Sequence, residues 1–329
     1  MEGLVDSSVV LGLDFGGSKI AIAVCVPAGD RLGSVTVASG GELGARASFE
    51  RGIQAARDLL ASAAPARPIA AVGVSTFGIP FEDRVELAPA IDGWGELPLG
   101  RELRAAFPGI PVRMATDAKA AARAEARWGA LAGADPAVYL NLGTGLSAAL
   151  VAGGQVVGGA NGAAGEIGYN LRAVSDVGLG PAARVPLEDM VSGKAMARRA
   201  SGHAGPDGPA ASAADVFAAG DGQPELGRLR TEFVTELAYH LVNIAICINP
   251  ARIAVGGGMV GSWHRLQPLL QQALDAGAPF PPELVAARFP SDAPLIGAVA
   301  LAMDAAAAGH PAGGAPVPVW NTVSEGSSS

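Results

Sequence analysis

Three glycine-rich turns each follow an apolar, β-branched run: Asp14-Phe15-Gly16-Gly17-Ser18-Lys19, Gly143-Thr144-Gly145 and Gly256-Gly257-Gly258. Glycine lets backbone N–H groups approach phosphate oxygens with no side chain in the way, and Ser18 and Thr144 add hydroxyl donors. That chemistry suits a nucleotide. Any one such turn is more often an ordinary tight turn, and it is the occurrence of three that favours phosphate. Lys19 stands out among them because only three of the 23 basic residues are lysines.

Two nucleotide motifs compete for these residues. A Walker A loop needs Gly, four residues, then Gly-Lys-Ser/Thr. Gly12 and Gly17 are spaced for it, but Ser18-Lys19 stand in the reverse order and a strand follows where a helix belongs. Gly256, Gly258 and Gly261 satisfy G-x-G-x-x-G after a strand and before a helix. That fingerprint also needs an acidic residue closing the next strand, and the run 284–289 ends in Pro290-Ser291, with Asp292 late. A nicotinamide-dependent oxidoreductase is therefore a minor alternative.

The elements that must position these turns can be read from periodicity. Residues 9–14 and 20–26 predict two strands around the first turn, 49–63 a helix, 69–75 a buried strand, 99–107 a helix and 112–115 a strand. Residues 117–130 favour a helix rich in Ala and Arg, and a second strand, turn, strand unit begins at 138–142. Shifting the sequence by 128 lays residues 11–24 over 139–152, with Gly17 on Gly145, which suggests two similar halves. Residues 233–248 predict an apolar helix, 252–255 a strand, 262–274 a helix and 298–308 a last helix, before a Gly, Pro and Ser-rich tail at 310–329.

At 329 residues the chain suits about two domains. Half of it is hydrophobic, 16% is charged and the formal net charge is −8, so no basic footprint for nucleic acid is present. Cys25 and Cys247 alone exclude a disulfide framework and fit a reducing cytoplasm. The first ten residues lack the basic region of an export signal, and apolar runs such as 244–248 fall short of the roughly 20 residues of a membrane span. A soluble, cytoplasmic protein with no nucleic-acid or membrane partner is expected.

LGLDFGGSKIAIAV resembles the first phosphate loop of the ROK family of sugar kinases and repressors, within the actin-like, hexokinase-like superfamily. In the same order, TDAKAAARAEARWGA resembles the family's catalytic-aspartate helix, and NLGTGLSAALVAGGQVVGGANGAAGEIGY its second phosphate hairpin and sugar-binding loop. IAVGGGMV resembles its adenosine-binding turn. The resemblance implies an α/β fold of two actin-like (ribonuclease H-like) lobes with ATP and a sugar in the cleft between them. It places a small lobe at 1–118, a large lobe at 119–300, the end of the last helix packing back on the small lobe at 301–309, and the tail beyond.

By the same resemblance Asp117 is the catalytic base that accepts the proton of a sugar 6-hydroxyl. Asp14 holds Mg²⁺ directly or through water, a hard cation that prefers such oxygen ligands. Gly16, Gly17, Ser18, Lys19, Gly143, Thr144, Gly145, Gly256 and Gly257 surround ATP, and Gly78, Thr116, Glu166, Tyr169 and Glu188 join Asp117 around the sugar. Carboxylates accept paired hydrogen bonds from adjacent sugar hydroxyls. Read without the resemblance, Thr116 and Asp117 are equally candidates for the N-cap of an Ala-rich helix.

The chain departs from the family pattern where a structural zinc would sit. Tyr169 stands at the family's His position and residues 172–187 contain no Cys, so no zinc is expected, and the loop is expected to be held by packing of Val174, Val177, Leu179 and Val185. With Tyr169, Thr116 and Ala90 in place of three sugar-contacting residues, the substrate is expected to differ from plain glucose, an amino-hexose such as kanosamine being a candidate and glucose the conservative alternative. A hexose or amino-hexose kinase, acting as a homodimer, is the leading expectation. A catalytically inactive sugar and nucleotide sensor is the alternative, and a repressor is disfavoured by the acidic charge and the eight residues before Val9.

Overall fold

The structure, a computed structural model, describes residues 8–202, 212–219 and 223–308. The chain divides into two compact units, one built from the segment up to Ala120 and from Pro294 onward, the other from Ala121–Ala293.

The first unit begins with β1 (Val9–Phe15), β2 (Lys19–Cys25) and β3 (Arg31–Ala38), followed by α1 (Ala45–Ala63) and β4 (Ile69–Thr76). A short hairpin of β5 (Ile79–Pro80) and β6 (Val85–Glu86), α2 (Leu99–Ala106) and β7 (Val112–Thr116) complete it. The sheet order is β3-β2-β1-β4-β7, antiparallel through β3, β2 and β1 and parallel through β1, β4 and β7. β1 lies at its centre, and every residue of it but Asp14 is buried, as a run of VVLGLDF covered on both faces requires. Helix α1 turns Phe49, Ile53 and Ala56 inward, and the Phe49 ring stacks 6.0 Å from that of Phe15. Strand β3 has no counterpart among the sequence expectations. As an edge strand it alternates half-buried and exposed residues, and its Gly33 and Ser34 dilute the β-branched signal.

α3 (Asp117–Trp128) leads from the first unit into the second. There follow β8 (Ala137–Leu142), β9 (Leu146–Ala152), β10 (Gln155–Val156), α4 (Gly193–Ser201), α5 (Ala213–Ala218) and α6 (Pro224–Ile248). β11 (Arg252–Gly256), α7 (Trp263–Gly277) and β12 (Glu283–Ala286) close the unit. The sheet order β10-β9-β8-β11-β12 repeats the first, again antiparallel and then parallel. These are two actin-like sheets, and the two similar halves expected from the sequence are present. Their register differs in one respect. A uniform shift of 128 would pair Tyr139 with residue 152, yet Tyr139 faces Ala149, because Leu142 pairs with Leu146 across three residues where Asp14, its counterpart under that shift, pairs with Ala21 across six.

The apolar run at 244–248 belongs to a helix of 25 residues, α6, which by length and composition alone is long enough to cross a membrane. It is the core helix of the second unit: Leu226, Leu229, Phe233, Leu237, Leu241 and Ala245 are buried, and Phe233 meets Phe217 of α5 edge-on at 5.7 Å.

The last helix, α8 (Ala293–Ala308), returns to the first unit. The expected boundary at residue 300 thus falls inside a continuous helix, and the division lies at 293/294. An Ala-rich segment carries no polar stripe to mark where it starts. The expected tail at 310–329 lies outside the described residues. α8 lies backbone against backbone on the sheet: a Cβ on Gly73 would press into the Ala298 carbonyl and sit 2.6 Å from the Ala302 nitrogen. Since rigid backbone cannot yield as a side chain can, Gly73→Ala should destabilise the protein by about 3 kcal/mol. Thermal unfolding checks this; an unchanged melting temperature would show that the helix can move away from the strand.

Candidate functional site

Parallel pairing decides where the chemistry of the first unit lies. Asp14 on β1 pairs with Ser75 on β4, and Ser75 with Ala115 on β7, two residues before Asp117. Asp14 and Asp117 therefore stand at the same carboxyl edge of the sheet, two strand spacings or about 10 Å apart along the backbone. Ligands of open α/β sheets bind at such edges.

The first glycine turn closes through Gly16 N–H donating to the Lys19 carbonyl at 2.9 Å, leaving Gly17, Ser18 and Lys19 exposed. Ser39, which no sequence signal marked, holds the turn from behind: its hydroxyl donates to the Gly17 carbonyl at 2.8 Å and its N–H to the Ser18 carbonyl at 3.0 Å. Ala90 packs behind Gly17, 3.1 Å from where a Cβ would stand. Gly78 turns the chain from β4 into β5 at φ +75, against Val85, Glu86 and Ala88.

Thr116 and Asp117 divide the two roles that the sequence left open. Thr116, 4% exposed, caps α3, its Oγ1 accepting the Lys119 N–H at 3.3 Å. Asp117 is the first helical residue and half-buried, and its Oδ1 accepts the Ala118 N–H at 2.7 Å. The cap is thus supplied by the neighbour, and the Asp117 carboxylate is held in a fixed orientation at the strand end.

In the second unit the structure brings the two remaining glycine turns together. Gly257, at φ +89, lies so close to the other turn that a Cβ on it would be 2.6 Å from the Leu142 carbonyl and 2.7 Å from the Gly143 nitrogen. Only glycine fits there. The run from Gly258 to Ser262 winds as a 3-10 turn, and α7 begins only at Trp263. The Gly143 carbonyl accepts the Gly193 N–H at 2.7 Å, which joins the start of α4 to the same place.

Glu188 reaches this turn from a distant segment: its Oε2 accepts the Leu146 N–H at 2.7 Å and would sit 2.5 Å from a Cβ on Gly145. Glu166 and Tyr169 flank a short 3-10 turn, Ile167–Tyr169, in which the Tyr169 N–H donates to the Glu166 carbonyl at 3.1 Å. Burial, then the negative Glu188 and Glu166, push the Tyr169 phenol above its ordinary pKa, so Glu166, Tyr169 and Glu188 share one electrostatic neighbourhood.

The loop that follows is not held as expected. Val174, Val177, Leu179 and Val185 are 90%, 68%, 46% and 50% exposed, so they do not pack. Polar contacts hold it instead. Arg172 makes a two-armed ion pair with Glu236 of α6, and Asp176 Oδ2 accepts the N–H groups of Arg172 and Ala173 at 2.9 and 3.1 Å. Arg184 donates to the Tyr169 and Asn170 carbonyls at 2.6 and 3.0 Å. These partners lie up to 64 residues apart, so no local pattern reveals them. Among the described residues no group of three or more His, Cys, Asp or Glu is placed to hold a metal. A Mg²⁺ that takes most of its ligands from phosphate and water needs fewer protein carboxylates than that.

A model of the ROK family matches residues 10–305. The chain belongs to the ROK family. Among curated ROK relatives, the bifunctional enzyme NanE/NanK of Brucella melitensis is 37% identical over 210 residues, 63% of this chain and 38% of that protein. The chain thus spans well under half the length of this relative. The kanosamine kinase of Amycolatopsis mediterranei is 29% identical over 310 residues, 89% of this chain and 95% of its own. Among solved structures, a ROK family glucokinase from Streptomyces griseus in complex with glucose and AMPPNP matches with a TM-score of 0.70 at 28% identity, covering 90% of this chain and all (100%) of that one.

One departure from the family pattern, Tyr169, can be tested directly. Its phenol should titrate above the ordinary tyrosine range, and Glu188→Gln or Glu166→Gln should lower that value, since each removes a negative charge that opposes ionisation. NMR of tyrosine labelled at the ring carbon bearing the hydroxyl reads this; a phenol that ignores both substitutions would place it away from the two carboxylates.

Proposed function

We propose that this protein is an ATP-dependent carbohydrate kinase that transfers the γ-phosphoryl group of ATP to the 6-hydroxyl of a hexose or amino-hexose. The observation that carries this reading is the position of Asp117 at the carboxyl edge of the first sheet, the edge that also carries Asp14 and the glycine turn two strands away. The family membership and the kinase relatives support it.

Phosphoryl transfer depends on positioning and charge neutralisation more than on covalent chemistry by the protein. The residues present fit a nucleotide. The turns at Gly16–Lys19, Gly143–Gly145 and Gly256–Gly257 offer backbone N–H groups without side chains in the way, and Lys19 adds a positive charge. Asp14 would hold Mg²⁺, directly or through water, and the ion would supply neutralisation of phosphate charge. Asp117 accepts the proton of the attacking hydroxyl, its orientation fixed by the Ala118 N–H. Glu166 and Glu188 accept hydrogen bonds from sugar hydroxyls, and Tyr169, kept protonated, donates one. Gly78 and the capping residue Thr116 are further candidates for contact with the sugar.

The choice of sugar follows from Tyr169, Thr116 and Ala90, which replace three expected sugar contacts while the phosphate turns and Asp117 remain. A site built for one hydroxyl pattern discriminates strongly against others, which favours a sugar other than plain glucose, with an amino-hexose such as kanosamine as the candidate. An ADP-release assay with Mg²⁺-ATP and a panel of glucose, mannose, N-acetyl sugars, glucosamine and kanosamine tests this. Turnover is expected with one sugar, and Asp117→Asn should lower kcat by roughly 10²–10⁴ while both substrates still bind. Binding of ATP and sugar without turnover on the whole panel would replace the kinase by a sensor.

Assembly as a homodimer belongs to the same reading. It is supported by the apolar side chains left exposed on the second unit, Val174 and Val177 on the loop and Tyr239 and Ile246 on α6. Sedimentation should give twice the chain mass, and Tyr239→Lys should shift the equilibrium toward single chains. A wild-type protein that sediments as one chain at micromolar concentration would reject the dimer.

A further inference from the structure

The loop that follows Glu166 and Tyr169 leaves its valines exposed, yet its backbone is held at two successive carbonyls. Arg184 spans them with one guanidinium, donating to the Tyr169 carbonyl at 2.6 Å and the Asn170 carbonyl at 3.0 Å. A planar fork suits this task, because it fixes two acceptors in one geometry. On the other side, the Asn170 amide nitrogen lies 3.3 Å from Nδ1 of His240, a buried residue of α6. Beside it Arg172 and Glu236 pair the next residues of the loop to the same helix, one turn before His240. Three side chains therefore tie residues 169–172 to each other and to α6.

We propose that Arg184 and His240 form a polar clamp that positions the sugar-recognition segment 166–170, and so are positioning residues for sugar affinity. The proposal rests on the kinase reading for what the segment binds, and on the contacts above for how it is held. The backbone hydrogen bonds of the short turn 167–169 connect the clamped carbonyls directly to Glu166, whose own carbonyl accepts the Tyr169 N–H. Loosening the clamp would therefore let Glu166 and Tyr169 drift, with no effect on the nucleotide turns.

The clamp also carries a pH dependence. With Nδ1 accepting from the Asn170 amide, the neutral ring carries its one N–H on Nε2, which is buried with no partner among the described residues; a second proton would add a charge in the interior and turn the Nδ1 acceptor into a donor facing the Asn170 amide. The groups that face the ring are Glu236 one turn away on α6, Arg172 from the loop, and Tyr239, which packs edge-on at 5.0 Å. Burial lowers the His240 pKa, Glu236 raises it and Arg172 lowers it, the net direction being down. The ring is thus neutral above the ordinary histidine range, and the clamp weakens only as pH falls below it.

The test combines steady-state kinetics with hydrogen exchange on the intact protein. Arg184→Ala and Arg184→Lys should each raise the sugar KM about tenfold, with the ATP KM and kcat within about twofold, since lysine keeps the charge and loses the fork. His240→Leu should do the same, whereas His240→Asn, whose amide oxygen can stand in for Nδ1, should restore the wild-type KM. The wild-type sugar KM should rise as pH falls toward the acid side, and His240→Asn should remove that rise. Sugar KM values unmoved in both Arg184 variants, or an ATP KM that rises in parallel, would overturn the proposal. If the wild type turns over no sugar, the kinase reading fails by itself, and amide exchange then judges the clamp. Faster exchange confined to residues 166–187 in Arg184→Ala supports it, and unchanged exchange there rejects it.

Discussion

Parallel strands all end on the same edge of a sheet, and this constraint decides where the glycine turns and Asp117 lie. In the first unit β1, β4 and β7 end together, which places the first glycine turn, Ser75, Thr116 and Asp117 along one line. In the second unit β8 and β11 end together, which places Gly143–Gly145 beside Gly256–Gly257. Backbone N–H groups at strand ends have no ladder partners, so they are available to a ligand as those within the strands are not. Close approach is part of the same design: α8 lies on Gly12 and Gly73, and larger residues there would lift it from the sheet.

The polar hold on the loop after Tyr169 shows a second way of ordering a segment that buries little. Exposed valines contribute no burial energy, and ordering each residue costs about 1–2 kcal/mol of backbone entropy. Hydrogen bonds to charged groups contribute roughly 1.5–3 kcal/mol each. Arg172, Asp176 and Arg184 together make six such bonds to Glu236 and to backbone groups, enough to offset the ordering of a short stretch. The contacts of Arg172 and Glu236 are partly buried, so solvent screens them less than a surface pair.

Much of this architecture was legible in the sequence because its signals are local. The strands on either side of the first two glycine turns, the helix after Asp117 and the apolar face of α6 follow from periodicity and turn chemistry within a dozen residues. What was not legible depends on residues far apart. Whether Thr116 or Asp117 caps α3 is a matter of which oxygen meets the Lys119 N–H, and both residue types are good caps. Glu188 could be matched to a family pattern, but not to its partner Leu146, 42 residues earlier. Val174, Val177, Leu179 and Val185 look like a packing set at loop spacing, and nothing local reveals that Arg184 supplies the hold instead. The edge strand β3 was invisible because an edge needs only half of the hydrophobic pattern. The three-residue offset between the two hairpins came from the turn, where register is set, and not from the strands on which the shift was based.

On the kinase reading, the neighbourhood of Tyr169 bears on which sugar is accepted, and the argument turns on donors and acceptors. Glu166 and Glu188 are acceptors, and part of Glu188 is already engaged by the Leu146 N–H. Tyr169, its phenol held above the ordinary pKa by burial and by both carboxylates, stays a donor through the neutral range. A hydroxyl can satisfy either kind of partner, because it donates and accepts. A protonated amino group only donates: it gains most from a carboxylate, and beside the phenol it leaves the phenol's own proton without an acceptor. The position of an amino group on the ring is therefore what such a site distinguishes. An ammonium directed at Glu166 or Glu188 is favoured by charge as well as by hydrogen bonding, while the same group directed at Tyr169 meets only an uncharged phenol oxygen and gives the phenol proton no acceptor, as a hydroxyl would.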